Sequence, residues 1–318
     1  MSSIIVVGHK NPDNDAISAA VGYAYLKNEL ARRAGEEAVF EPVRLGPLPP
    51  ETEWIMGERG IEQPCLIESV PEGAKVILVD HNEPDQSIPG VEELPVVEVV
   101  DHHRIGNLET TGPVYFRNVP VGCTATILYQ MYGEQGMTPS KEIAGLLLSA
   151  ILSDTLMFRS PTSTPQDEAA AQELAVLAGE DIPTYAEQMF EAGADLTGRD
   201  AEDVFCSDFK VFSRGDAKFG VGQSIYMTDK SRAAAEELVG PFLPEASRRE
   251  GLPMIFYMFT DMKTQSTDLM YCGSIAEQIV REAFHVEPKD GKAWLPGVVS
   301  RKKQLIPPLL AALQAHQK

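Results

Sequence analysis

The sequence predicts an α/β protein of two domains, an N-terminal parallel-sheet domain and a smaller C-terminal α/β domain, with the active site in the cleft between them. Short runs of β-branched residues alternate with stretches of helical spacing, the pattern of a parallel sheet wound by crossover helices. The length of 318 residues is sufficient for two hydrophobic cores. Because the periodic pattern is lost after residue 190, we expect domains at 1–190 and 199–318, joined by a linker at 191–198.

The first strand is predicted at Ile4–Val7, where four consecutive β-branched residues indicate burial on both faces. A helix is expected to begin near Ala16, and the turn before it contains His9, Asp13 and Asp15. Open α/β sheets bind ligands at the carboxyl ends of their strands, so this turn is a candidate site. The alternative is an ordinary polar loop in which Asp15 is the helix N-cap.

Two further strands of the first domain, at residues 74–79 and 96–100, also end in polar side chains. Asp80 follows the first of them, and His102 is in the turn after the second. The ends of parallel strands lie along one edge of a sheet, so these residues are expected to converge with the first turn. Asp154 follows an apolar helix, where an isolated acid is more often an exposed terminal residue.

The remaining elements are predicted from hydrophobic periodicity. The proline-rich segment 41–50 is expected to be a loop or a short edge segment. The other predicted elements are helices at residues 122–134, 141–153, 165–178 and 231–238, and strands at residues 221–227 and 254–260.

The composition excludes several classes of partner. The net charge is −20, which disfavours nucleic acid and anionic membranes, because phosphate backbones are bound by clustered Lys and Arg. The N-terminus lacks the pattern of a leader peptide, and no apolar run reaches the roughly 18 residues of a membrane span, so a cytoplasmic protein is expected. The four cysteines are far apart in the sequence and are expected to be reduced structural thiols.

The acidic and imidazole side chains at the strand and helix ends have the composition of a metal site. Two imidazole nitrogens and several carboxylate oxygens suffice for two ions if one carboxylate bridges, and such a pair favours attack on phosphorus. Ligands of this type suit manganese and leave cobalt, zinc and magnesium open. The candidate ligands are His9, Asp13, Asp15, Asp80, His102 and Asp154.

Arg301, Lys302 and Lys303 form a run of three cations in an otherwise acidic chain. Arg and Lys bind phosphoryl oxygens, so Arg301 and Lys302, in a loop of the second domain, are expected to close over an anion held on the first. The alternative is a solvated surface run. The run follows the apolar residues 297–299 and precedes another apolar stretch, which favours the phosphate-binding interpretation.

These motifs resemble the manganese-dependent family II inorganic pyrophosphatases of the DHH phosphoesterase superfamily. The resemblance covers essentially the whole chain. It is carried by GHKNPDNDAIS at the start, VDHNE at 79–83, DHHRI at 101–105, VGCTATIL at 121–128, SDT at 153–155 and SRKKQ at 300–304.

The resemblance implies a role for each candidate residue. The metal ligands would be His9, Asp13 and Asp80 at one ion, and Asp15, Asp80, His102 and Asp154 at the other, with Asp80 bridging. His103, Lys210, Arg301 and Lys302 would contact the phosphates, with His103 and Lys210 as proton donors to the leaving group. Asp101 would orient a ligand histidine rather than bind metal.

The resemblance also implies the cofactors and the oligomeric state. Two Mn²⁺ ions per subunit are expected, with Co²⁺ or Mg²⁺ as substitutes and further Mg²⁺ or Mn²⁺ entering with the substrate. The subunits are expected to form a homodimer through strands of the first domain.

The activity expected is hydrolysis of inorganic pyrophosphate to two phosphates by a hydroxide that bridges the two metals, with no phosphoenzyme intermediate. One alternative is a DHH-type phosphodiesterase acting on short or cyclic oligonucleotides. Those relatives are expected to carry a glycine-rich motif in the second domain, whereas this sequence has no Gly-Gly pair. Another alternative is a non-catalytic, metal-dependent phosphate sensor, which would be expected to have lost at least one of the ligands.

Overall fold

The computed structural model describes residues 3–71, 73–214 and 217–316. The chain divides into two compact units, one up to Met189 and the other from Phe190 onward. Helix α6, Ile182–Gly193, includes this division, so the first three residues of the segment predicted as a linker, 191–193, are helical.

The first unit contains a parallel sheet of six strands in the order β3-β2-β1-β4-β5-β6. The three strands predicted in this unit are confirmed, and they are neighbours in the sheet. The strands are β1 (Ser3–Lys10), β2 (Val39–Leu45), β3 (Cys65–Leu66), β4 (Lys75–Val79), β5 (Val96–Asp101) and β6 (Tyr115–Asn118).

Six α-helices accompany this sheet among the described residues, the last of them α6. Helices α1 and α4 pack closely, and Gly22 allows the approach, since a Cβ there would lie 2.8 Å from Leu147 Cδ2. The other five helices are α1 (Asn14–Ala34), α2 (Pro50–Arg59), α3 (Thr124–Glu134), α4 (Lys141–Asp154) and α5 (Pro165–Ala178). The predictions at residues 122–134, 141–153 and 165–178 are thus confirmed.

The prediction for the segment 41–50 was wrong for its first half. Residues up to Leu45 belong to β2, an inner strand, and α2 begins at Pro50. Pro42 is tolerated because it pairs with Val6 of β1 on one side, while the two-residue strand β3 begins its pairing only at Val43. The prolines indicated that regular structure is interrupted in this segment, but the sequence did not show that Pro42 would pair on one side only.

The second unit contains a mixed sheet of five strands in the order β11-β10-β9-β8-β7, with an apolar cluster on each face. Strands β8 and β9 and helix α8 confirm the three elements predicted here. The strands are β7 (Phe209–Arg214), β8 (Ala217–Tyr226), β9 (Ile255–Asp261), β10 (Ser266–Cys272) and β11 (Lys292–Pro296). The helices are α7 (Ala201–Cys206), α8 (Asp229–Val239), α9 (Leu243–Arg249), α10 (Ala276–Phe284) and α11 (Ile306–His316).

The basic run is not in a loop, contrary to the prediction. Arg301–Leu305 form a π-helical turn that continues directly into α11. The side chain of Ser300 caps this turn by accepting a hydrogen bond from the backbone N–H of Lys303. Within the described ranges, no helix has both the length and the apolar character needed to cross a membrane.

Gly8, in β1, allows α1 to begin against the strand, and this close approach gives a test of the fold. A Cβ at Gly8 would lie 2.7 Å from the carbonyl oxygen of Ala16, so we expect Gly8→Ala to reduce the free energy of unfolding by about 1–3 kcal/mol. Gly57, in α2, is the matched control. Nothing lies within 4 Å of a Cβ there, and Gly57→Ala should stabilise the protein by about 0.5–1 kcal/mol. Chemical denaturation measures both, and equal effects would contradict this account.

Candidate active site

His9, in β1, is the first of the predicted residues, and its ring orientation is fixed. Its Nδ1 donates to the carbonyl oxygen of Lys10 at 2.8 Å, which leaves the lone pair of a neutral ring on Nε2. His9 Nε2 lies 3.3 Å from Asp13 Oδ2 and 3.5 Å from Asp80 Oδ2. A lone pair and carboxylate oxygens that face one another are stabilised by a cation between them.

Asp13 is fixed by the start of α1. Its Oδ1 accepts a hydrogen bond from the backbone N–H of Ala16 at 3.0 Å, which makes Asp13 the N-cap residue. The alternative in which Asp15 caps the helix is therefore wrong. With Oδ1 used by the cap, Oδ2 is the oxygen that faces His9.

Asp80 is at the centre of the cluster. It follows β4 in a left-handed conformation, with φ of 60°, and is 1% exposed. Its Oδ2 faces His9, whereas its Oδ1 lies 3.4 Å from His102 Nε2 and accepts a hydrogen bond from Thr124 Oγ1 at 3.0 Å. The two oxygens of one carboxylate thus face two different imidazoles.

His102 repeats the arrangement of His9. Its Nδ1 donates to the carbonyl oxygen of Val121 at 3.0 Å, and its Nε2 lies 3.3 Å from Asp154 Oδ2. Asp154 is the last residue of α4. Asp154, predicted as a ligand from its place at a helix end, therefore lies beside the predicted ligand His102.

A strained turn ends α4 immediately after Asp154. Residues 156–158 have φ values of 52°, 51° and 64°, and three successive left-handed residues without glycine are unfavourable. Thr155 stabilises the turn, because its Oγ1 donates to the carbonyl oxygen of Ile151 at 2.5 Å and accepts from the N–H of Phe158 at 3.1 Å. The helix is thereby stopped at the carboxylate.

Asp15 is held by the N-terminus of α3. Its two oxygens accept hydrogen bonds from the backbone N–H groups of Thr124, at 2.6 Å, and Ala125, at 3.0 Å. One ligand atom each of Asp15, Cys123 and Asp154 lies within 4.8 Å of the others. Burial, and then the carboxylates of Asp80 and Asp154, raise the pKa of Asp15 well above its usual value.

The six predicted ligands therefore form one continuous cluster of four carboxylates and two imidazoles. Two ligand atoms bound at about 2.1 Å to one ion lie roughly 3 to 3.5 Å apart, which matches the separations between these side chains. The residues fit divalent metal ions of the manganese type, which prefer oxygen and imidazole ligands.

His103 is held by Asp101, which is fully buried. The Nδ1 of His103 donates to Asp101 Oδ1 at 2.9 Å and lies 3.6 Å from Asp80 Oδ1. Asp101 Oδ1 also accepts the backbone N–H groups of both histidines that follow it, and Asn82 donates to Oδ2. Asp101 thus contacts the ring of His103 and the backbone N–H of the predicted ligand His102.

The three predicted basic residues belong to the second unit. Lys210 is in β7, and Lys302 is an exposed residue of the π-helical turn. Arg301 is only 7% exposed, and its guanidinium donates from one nitrogen to the carbonyl oxygen of Asp208 at 3.0 Å and from another to Asp208 Oδ1 at 2.8 Å.

Sequence reasoning missed three residues that shape the cluster. Thr124 contacts both Asp15 and Asp80, Asn82 holds Asp101, and the buried thiol of Cys123 lies beside Asp15. Thr124 and Cys123 occur in the motif VGCTATIL, which carried the resemblance, but a motif does not show which carboxylate its N–H and hydroxyl groups meet. Asn82 is the third residue after β4, and this place near a strand end was the available signal.

Comparison with known proteins finds similarity along almost the whole chain. The model of the DHH family N-terminal domain matches residues 3–151, and that of the DHHA2 domain matches residues 187–312. Proteins of Bacillus cereus and Bacillus anthracis, each named a probable manganese-dependent inorganic pyrophosphatase, are 45% identical over 321 residues, covering 99% of this chain and 100% of theirs. The chain belongs to the manganese-dependent inorganic pyrophosphatase family.

Solved structures agree with this family and with its two-unit architecture. A Methanococcus jannaschii protein, described as a candidate family II inorganic pyrophosphatase, has a TM-score of 0.81 and 34% identity, covering 98% of this chain and 99% of that one. An exopolyphosphatase-related protein of Bacteroides fragilis, with a TM-score of 0.51 and 15% identity, shares the fold alone. The predicted family and fold class are confirmed.

The hydroxyl of Thr124 gives a test of how the cluster is held. Thr124→Val removes the donor to Asp80 Oδ1 and keeps the shape and the backbone N–H, so we expect Mn²⁺ affinity to fall by about 10- to 100-fold. Thr124→Ser retains the hydroxyl and should stay within about threefold of the unaltered protein. Mn²⁺ titration followed by electron paramagnetic resonance measures both. Equal affinities for the two variants would show that the hydroxyl does not orient Asp80.

Proposed function

We propose that this protein hydrolyses inorganic pyrophosphate to two phosphates with manganese as its cofactor. The observation that carries the proposal is the position of Asp80, whose two carboxylate oxygens face His9 and His102 at 3.5 and 3.4 Å. This arrangement suits a carboxylate shared by two cations. The names of the Bacillus relatives, which are similar over the full length, support the same activity.

The metal ligands in this proposal are the six residues of the cluster. Asp80 would be shared between two Mn²⁺ ions, with Co²⁺ or Mg²⁺ as substitutes and further Mg²⁺ or Mn²⁺ accompanying the substrate. When bound, the ions polarise phosphoryl oxygens and lower the pKa of water towards neutrality. His9, Asp13 and Asp80 would hold one ion, and the other would be held by Asp15, Asp80, His102 and Asp154.

The other side chains would bind the substrate and move protons. His103, with Nδ1 donating to Asp101, presents Nε2 for proton transfer to a leaving phosphate, and Lys210 is a second proton donor. Arg301 and Lys302 would bind phosphoryl oxygens, Arg301 with its planar fork and Lys302 as a compact charge. These side chains supply positive charge that the cluster of carboxylates lacks.

We also propose that the protein acts in the cytoplasm. All four of its cysteines, Cys65, Cys123, Cys206 and Cys272, are free thiols, and Cys65 and Cys206 are exposed. Exposed unpaired thiols suit a reducing compartment.

We further propose that two subunits pair along β6. This strand is the outer strand of the sheet beside β5, and two of its side chains, Tyr115 and Phe116, are 50% and 36% exposed. An edge strand with exposed aromatic side chains is a ready surface for pairing with another strand. A second copy of the chain would cover it.

Phosphate release from three substrates tests the proposed activity. The purified, metal-stripped protein is reloaded with Mn²⁺ and given pyrophosphate, a linear dinucleotide and ATP in parallel. We expect rapid release from pyrophosphate alone. Cleavage of the dinucleotide would instead indicate a phosphodiesterase, and no release from any of the three would indicate a phosphate sensor.

Two variants separate the metal cluster from the phosphate-binding residues. Asp80→Ala should lower activity by at least about 1,000-fold and reduce bound Mn²⁺, because both ions share this carboxylate. Arg301→Ala should weaken pyrophosphate binding and turnover while bound Mn²⁺ stays unchanged. Elemental analysis and steady-state kinetics measure these effects. Retention of most activity in Asp80→Ala would contradict the shared carboxylate.

Substitution of the exposed aromatic pair tests the dimer. The double variant Tyr115→Lys and Phe116→Lys should convert a dimer to a monomer, because it places like charges along the paired edge. Val176→Lys is the control, since Val176 is 81% exposed in α5, away from this edge strand in the sequence. Light scattering after gel filtration gives the mass. A monomeric unaltered protein would contradict the proposal.

A further inference from the structure

We propose that Asp208 is the positioning residue of Arg301, fixing its guanidinium in the orientation that binds a phosphate group. The inference rests on the proposed function. Asp208 contacts Arg301 twice, through its backbone carbonyl oxygen at 3.0 Å and through Oδ1 at 2.8 Å, from two different guanidinium nitrogens. Two simultaneous contacts define the plane of the guanidinium, whereas a single contact would let it rotate.

The backbone of Asp208 is itself held firmly. Its carbonyl oxygen also accepts the N–H of Gln223 at 3.1 Å, which extends the β7–β8 pairing by one residue. The next residue, Phe209, is seated on Gly220, where a Cβ would lie 2.3 Å from the Phe209 ring. Asp208 therefore presents its oxygens from a fixed point on the sheet.

The backbone of Arg301 is fixed by the same neighbourhood. The side-chain oxygen of Gln304 accepts the N–H groups of Val299 and Ser300 at 3.0 and 2.9 Å. The side chain of Gln223 donates to the carbonyl oxygen of Val299 at 2.9 Å. Gln223 thus bonds through its backbone to Asp208 and through its side chain to the segment that leads into Arg301.

The pair leaves part of the guanidinium available. Arg301 has five N–H donors, and two of its nitrogens contact Asp208. Its Nε is buried and has no hydrogen-bond partner in the described part of the chain. A buried donor without an acceptor is costly, so a site built only for structural stability would be expected to satisfy it.

The charge of Asp208 has a cost that the positioning role explains. A carboxylate beside Arg301 reduces the positive potential in a place proposed to bind a polyanion. The pair is unequal in exposure, since the Arg301 side chain is 8% exposed and the Asp208 side chain is 35% exposed. Orientation of the guanidinium before the substrate arrives is the gain that offsets this repulsion.

The test uses Asp208→Ala and Asp208→Asn in the manganese-loaded, full-length protein. Asp208→Ala removes the Oδ1 contact, and we expect KM for pyrophosphate to rise by about tenfold, with bound Mn²⁺ unchanged. Asp208→Asn keeps an acceptor oxygen and should recover KM to within about threefold. Glu287→Gln is the control for net charge, because Glu287 is an 85% exposed residue of the same unit.

A double-mutant cycle shows whether Asp208 acts through Arg301. In an Arg301→Ala background, Asp208→Ala should cause no further rise in KM, since the group that it orients is gone. Additive effects would overturn the inference, as would a fall in KM in Asp208→Ala, which would mean that the carboxylate competes with substrate. Absence of phosphate release by the unaltered protein would instead refute the proposed function, so the two failures are distinguishable.

Discussion

The first unit must hold four carboxylates together at one edge of its sheet, although their negative charges repel one another. Asp15 and Asp80 are almost fully buried, and burial together with neighbouring carboxylates raises the pKa of Asp15. Two imidazoles whose Nδ1 atoms are committed to backbone carbonyls add lone pairs, not positive charge. The cluster is therefore complementary to divalent cations, and metal binding and the local fold must stabilise each other.

Backbone groups hold the carboxylates against this repulsion. The N-terminus of α1 binds one oxygen of Asp13, and that of α3 binds both oxygens of Asp15. The left-handed turn at 156–158 stops α4 at Asp154. In each case, the sequence places the acid where a helix begins or ends, so that the strain of the cluster is opposed by rigid elements rather than by flexible side chains.

The sequence was most informative where residues of metal-ligand type follow the carboxyl ends of parallel strands. Parallel strands end at one edge, so acidic and imidazole residues at 9, 80 and 102 could be expected to converge before any coordinates were known. Local sequence patterns did not predict the strand at Pro42, which pairs with β1 on one side. They also did not predict the helical turn that begins at Arg301. Contacts such as that of Thr124 with Asp80 join residues 44 positions apart, and no periodicity encodes them.

The two units hold their basic groups by the same means. In the first, the fully buried Asp101 fixes the ring of His103 by accepting a hydrogen bond from its Nδ1. In the second, Asp208 fixes the plane of Arg301. A carboxylate beside a basic group weakens its attraction for an anion but fixes its direction. In the proposed role of binding phosphoryl oxygens, direction contributes more, because donors that are already aligned need no reorganisation in the transition state.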